Sequence, residues 1–125
     1  MPKAATLAAA CLACATLTAG AALAQGGRIT DGQYFAAARC EGLMASASLG
    51  RQDVSGIKAM LDAQGAGRMP DVTERADEAR RTAVRQAGHA GPEQKASLVA
   101  ERDGACRAFA GGSATAAIDR PSTTN

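Results

Sequence analysis

Asp71-Val-Thr-Glu-Arg-Ala76-Asp-Glu-Ala79-Arg-Arg-Thr-Ala83-Val-Arg-Gln-Ala87-Gly88 is the most strongly patterned stretch of the chain. Val72, Ala76, Ala79, Ala83 and Ala87 recur at fours and threes, which places them in one narrow seam on a helix. Alanines in such a seam let a second helix approach closely. Asp71 can cap the start, with Glu74 completing a capping-box-like pair, and Gly88 sits where a C-cap glycine belongs. The charged residues between the seam positions read as a solvated ion-pair face. Asp77 to Arg81 and Glu78 to Arg81 are helical neighbours, with acids leading and bases following as the helix dipole prefers.

Working outward from this helix, Gly65-Ala-Gly67-Arg-Met-Pro70 is a breaker-rich linker, without the Lys-Ser or Lys-Thr of a phosphate loop. Before it, Val54, Ile57, Leu61 and Gln64 align behind a capping Asp53 as a short helix, weakened by Gly56. Asp31 is read as the N-cap of a first helix running to about Ser48, with Ala36, Cys40, Leu43, Met44 and Ala47 inward. After the seam, Pro92 opens a last helix continuing to about Ala110, with Ala96, Val99, Cys106 and Phe109 or Ala110 inward. No stretch alternates as a half-buried strand would. The expectation is an all-α, up-down bundle of three or four helices over residues 31–110.

The chain opens differently. Lys3 supplies a positive charge, Ala4 to Ala19 carries none, and Ala22-Leu-Ala24 ends in small residues before Gln25, so residues 1–24 read as a cleavable signal peptide cut between Ala24 and Gln25. Two rivals exist. An uncut segment would be long enough to span a bilayer, though its Ala and Thr make it weakly hydrophobic. Leu12-Ala13-Cys14 resembles the end of a lipoprotein signal, but Cys11 stands where a branched apolar residue is expected. Export leads to a periplasmic or secreted protein, and the excess of arginine over lysine, 11 to 3, fits a GC-rich bacterial coding bias. Residues 25–30 are read as a flexible lead-in and 111–125, rich in Gly, Ser, Thr and Ala, as a disordered tail.

Cleavage would remove the Cys11-x-x-Cys14 pair and with it any redox or zinc chemistry. Cys40 and Cys106 remain. In an exported chain they most simply form one disulfide, closing a loop of about 67 residues worth about 4 kcal/mol in the chain-entropy treatment. Antiparallel packing of the first and last helices would bring them level. The bond matters because the core is thin, with Tyr34, Phe35 and Phe109 the only aromatic residues.

Losing Lys3 from 14 basic residues leaves 13 against 12 acidic, a near-neutral balance that gives no ground for a nucleic-acid partner. His89 is the only histidine, so multi-histidine metal sites and a serine–histidine apparatus have no material; it reads as a solvated residue at a helix C-terminus. Non-covalent haem between His89 and Met44 or Met60 would lack the aromatic packing such a group needs. No cofactor is expected. One arrangement could make a modest protein-binding patch: Tyr34, Phe35 and Phe109 beside the disulfide, rimmed by Arg39, Arg107, Glu101 and Asp103. The plain alternative is that the aromatics are core and the charges surface. These readings point to a non-enzymatic binding or envelope accessory module engaging a protein or peptide, or alternatively a carrier with a small-ligand pocket between helices.

Overall fold

The computed structural model describes residues 27–112. The segment read as a signal peptide, its expected Ala24–Gln25 boundary and residues 113–125 of the expected tail lie outside that range. The described chain is all-helical, with α1 (Asp31–Ala45), a short 3-10 turn (Ala47–Leu49), α2 (Ser55–Gly65), α3 (Pro70–His89), α4 (Pro92–Asp103) and a single-turn α5 (Arg107–Ala110).

Thr30, not Asp31, caps α1: its hydroxyl accepts from the Gln33 N–H, while the Gln33 side chain accepts from the Thr30 N–H. Asp31 thereby falls in the first turn, where the helix dipole favours an acid. Nor does α1 reach Ser48. It stops at Ala45 because Ser46 turns extended, and the chain folds back so that the Gln52 N–H donates to the Met44 carbonyl at 2.8 Å. Its inward face is Tyr34, Ala37, Ala38, Cys40, Gly42, Leu43 and Met44, whereas Ala36 and Ala47 are exposed.

Asp53 is not the cap of α2: Val54 holds that position without a side-chain bond, and the Asp53 carboxylate one residue earlier accepts the Ser55 N–H at 2.9 Å. Gly56, which weakens α2 on propensity, serves close packing there: a Cβ would meet the Ala110 carbonyl oxygen at 3.1 Å. Pro70 is itself the first residue of α3, with Met69 as an extended N-cap, so the Asp71–Glu74 capping pair does not form. Gly88 lies inside α3, which ends one residue later at His89. The last helix breaks at Gly104 and restarts at Arg107, placing Cys106 in the interruption. On α4, Leu98 is buried and Val99 partly so; Ala96 and Ala110 are exposed.

The helices run up and down around α1, which touches α2, α3 and α4. Residue levels rise together on α1 and α3. Tyr34 shares a cleft with Thr73 and Ala76, Gly42 meets Arg80 and Ala83, and the Ser48 hydroxyl donates to the Ala87 carbonyl at 2.8 Å. The expected seam is the contact surface, with Ala76, Ala83 and Ala87 buried and Val72 and Ala79 partly so. In contrast α2 runs antiparallel to α1, its Gln64–Gly65 end lying against Ile29 and Tyr34. Cys40 and Cys106 are at disulfide distance, with Cα atoms 5.2 Å apart, joining α1 to the end of the α4 segment. Leu43, Ile57 and Phe109 complete the core, each contributing about 1.5–3 kcal/mol through burial.

Residues expected to lead loosely into the domain are pinned from Gly27 onward. Ile29 is 2% exposed, its N–H donates to Gln64 Oε1 at 3.1 Å, and Gln64 Nε2 donates to the Gly27 carbonyl at 3.1 Å.

Candidate functional site

Small residues on α1 and α3 hold those two helices together, while α2 packs on α1 from another side. A cleft of about 440 Å³ is left between the three. Tyr34, Ala38 and Glu41 form its floor on α1, one and two turns apart on one face. The α2 wall carries Lys58, Leu61, Asp62 and Gly65, and the α3 wall Thr73, Ala76, Asp77 and Arg80. Ala38, Leu61 and Ala76 make an apolar centre with charged groups around it.

The charges are unequally compensated. Lys58 Nζ binds Asp62 at 3.2 Å out on the exposed surface. Arg80 stands 4.0 Å from Glu41 and 3.8 Å from Asp77, beyond hydrogen-bond reach of either. The Glu41 side chain is only 18% exposed, and burial raises its pKa above the ordinary carboxyl value, an effect Arg80 and Lys58 partly oppose. Tyr34 is 7% exposed, and burial likewise raises the pKa of its phenol, against the pull of Arg68. Among the described residues the Tyr34 hydroxyl has no hydrogen-bond partner. It is not sealed in, since no fully enclosed side-chain nitrogen or oxygen lacks a partner. It therefore opens onto the cleft that its ring lines.

One end of the cleft is fixed by Arg68, which the sequence places in an unremarked linker. Its side chain is 2% exposed. Nε donates to the Gln64 carbonyl at 2.8 Å, Nη2 to the Ile29 carbonyl at 2.6 Å, and Nη1 to Asp31. Its guanidinium carbon lies 4.5 Å from the Tyr34 ring centroid, a cation–π contact that holds the ring in place. Arg68 thus satisfies a terminal carbonyl of α2 while neutralising the first turn of α1.

The residues of the expected protein-binding patch are dispersed in role. Tyr34 and Phe109 are core, Phe35 is partly buried, and Arg107 is exposed. Tyr34 reaches Gly65 at one end of α2, whereas Ala110, next to Phe109, covers Gly56 at the other. Arg39 is a structural tie. It grips Glu101 through Nε at 2.6 Å and Nη2 at 3.0 Å and donates to Gln86 at 2.8 Å, linking α1, α3 and α4. Arg102, beside Glu101, binds Asp103 at 2.8 Å and the Gly50 carbonyl at 3.0 Å.

The expected ion-pair face on α3 forms with shifted partners: Glu78 binds Arg85 at 2.7 Å and lies 3.9 Å from Arg81, and Asp77 pairs with Arg80. His89 is exposed at the α3 C-terminus, and Met44 and Met60 are in the core. No cluster of three His, Cys, Asp or Glu side chains suited to a metal occurs among the described residues, and none of their helices is long and apolar enough to cross a membrane. No family model, curated protein or solved structure matches the chain.

Proposed function

We propose that this chain is a small exported, non-enzymatic binding protein of a bacterial envelope, and that it carries a small ligand in the cleft between α1, α2 and α3. The observation that carries the reading is that cleft, about 440 Å³ between three helices, whose α1 face carries Tyr34, Ala38 and Glu41, with neither the Tyr34 hydroxyl nor the Glu41 carboxylate hydrogen-bonded within the described residues. Both groups remain open to water, and a ligand seated in the cleft can exchange those water bonds for its own. Export is supported by the signal-like first 24 residues and by the paired Cys40 and Cys106, which suit an oxidising compartment. Docking of an envelope protein or peptide through the aromatic residues receives less support, because Tyr34 and Phe109 are occupied in the core.

The test is mass spectrometry of protein produced through its own signal and taken from the periplasmic extract without dialysis. A denatured mass matching Gln25 to Asn125, with an added mass under native conditions only, is the expected result. Retention of residues 1–24 would overturn the processing, and a bare polypeptide mass under native conditions would overturn the carrier reading.

A further inference from the structure

We propose that Met69, in the linker between α2 and α3, is an oxidative modification site: a thioether that peroxides convert to the sulfoxide while the fold stays intact. The inference is independent of the carrier reading.

Met69 is 70% exposed, whereas the other sulfurs of the described residues are shielded. Met44 and Met60 are 3% and 7% exposed in the core. Cys40 and Cys106 are also buried and lie at disulfide distance from each other, so neither offers a thiolate. An oxidant arriving from solvent therefore meets one soft, polarizable sulfur among the described residues. Export would hold that sulfur in an oxidising compartment.

The local structure keeps the sulfur in solvent. Met69 is the N-cap of α3, a position that favours Ser, Thr, Asp or Asn, and its side chain makes no capping bond. Its backbone is fixed all the same: the Met69 carbonyl accepts the Val72 N–H at 3.0 Å and the Thr73 N–H at 3.3 Å. On one side stands the buried Arg68 side chain, and on the other Pro70 begins α3. The thioether is thus presented to solvent from a rigid turn.

The chemistry balances with a hydroperoxide as the oxidant. A sulfur lone pair attacks one peroxide oxygen, the O–O bond breaks and an S–O bond forms. The departing oxygen takes up the proton shed by the transferred one and leaves as water or an alcohol. Sulfur gives up two electrons and the peroxide is reduced by two. The product is polar, and at Met44 or Met60 it would put that polarity into the core. At Met69 it stays in water.

The test treats the folded, exported protein with hydrogen peroxide, quenches it at intervals, then reduces and digests it with trypsin. Cleavage after Arg39, Arg51, Lys58, Arg68 and Arg75 places Met44, Met60 and Met69 in three separate peptides. The Met69–Arg75 peptide is expected to gain one oxygen about tenfold or more faster than the other two, because buried sulfurs react only when the core opens. In urea the three rates should converge. The singly oxidised protein should melt within about 2 °C of the parent, as a change confined to the surface would. Met69→Leu should abolish the fast uptake of oxygen.

Oxidation of Met44 or Met60 as fast as Met69 in the folded protein would overturn the proposal, as would fast uptake that survives Met69→Leu. A rate difference that persisted in urea would mean that neighbouring sequence, not the fold, selects the site, and a melting point lowered by many degrees would show that the fold does not tolerate the product.

Discussion

Gly42 of α1 lies so close to Arg80 of α3 that a Cβ on the glycine would fall 2.4 Å from the Arg80 carbonyl oxygen and 3.0 Å from the Ala83 Cβ. The obstacle is helix backbone, which cannot swing aside as a side-chain end can. This contact sets the separation of the parallel pair α1 and α3, and so the width of the cleft beside it.

Gly42→Ala is therefore expected to destabilise the domain, although alanine is the better helix former by about 0.5–1 kcal/mol. Forced separation of packed helices costs about 1–3 kcal/mol. In a domain of this size that lowers Tm by several degrees, at about 4–8 °C per kcal/mol. Gly88→Ala is the control. Gly88 is also helical, but nothing lies within 4 Å of its would-be Cβ, so this change should raise Tm. Thermal unfolding of the two variants should move in opposite directions; a Gly42→Ala protein as stable as the parent would show that the α1–α3 contact is not tight.

Reducing Cys40–Cys106 removes a constraint across a sequence separation of 66, for which the chain-entropy treatment gives about 4 kcal/mol. For a core built on alanine that is a large share of a typical margin of about 5–15 kcal/mol. Urea unfolding of the Cys40→Ser/Cys106→Ser protein should show a midpoint far below that of the oxidised parent. Coincident curves would mean that the bond stabilises nothing.

The parts of this fold that could be read from the sequence are those set by local chemistry. The alanine seam of α3 was visible in its own spacing, and Pro92 marked the start of the last helix. Cys40 and Cys106 pair as expected. Gly42 was not legible: alone it is only an unfavourable helix residue, and its role depends on a backbone carbonyl 38 positions away. Ala47 and Ser48 are acceptable in a helix, so nothing local announced that α1 stops at Ala45 to let the chain fold back on Met44. Gly104 was hidden in a helical pattern for a similar reason. The cleft was least legible, because it is the space left when α2 and α3 each pack on α1, and its key group, Glu41, looks like any surface acid until that packing is known.

Arg68 shows how much such a long-range role can weigh. Its guanidinium bonds the Ile29 and Gln64 carbonyls and Asp31 and covers the Tyr34 ring while 2% exposed. Arg68→Met keeps much of the apolar stem but strands these acceptors, and each buried group left unpaired costs about 1–3 kcal/mol. Arg68→Lys should recover little, since a single ammonium cannot reproduce the planar fork. Chemical denaturation should place both variants at least about 2 kcal/mol below the parent. Hydrogen exchange should show the loss concentrated at residues 27–34 and at the C-terminal end of α2. Full stability in the lysine variant would mean that charge alone, without the fork, ties α1 to α2.

Glu41 gives the domain a pH signature of definite sign. Burial raises its pKa in the folded protein, with Arg80 and Lys58 pulling partly the other way, so the folded state favours the protonated carboxyl relative to the unfolded chain. Its contribution to stability is then fully present below the unfolded carboxyl pKa, about 4.3, and is lost as pH rises through the higher folded value. The exposed Asp53, Glu78 and Asp103 act in the opposite sense: hydrogen bonds lower their pKa values, so they support the fold above the ordinary range and lose that support in acid. Parent stability alone therefore mixes the two trends, and the comparison that isolates Glu41 is with Glu41→Gln. Melting of the two proteins without ligand should coincide in acid and separate as pH rises toward neutrality, with the glutamine variant the more stable. A gap that opened in the other direction without ligand would mean that Arg80 overcompensates the burial of Glu41, and the carboxylate would then be a satisfied ion-pair partner rather than an open acceptor.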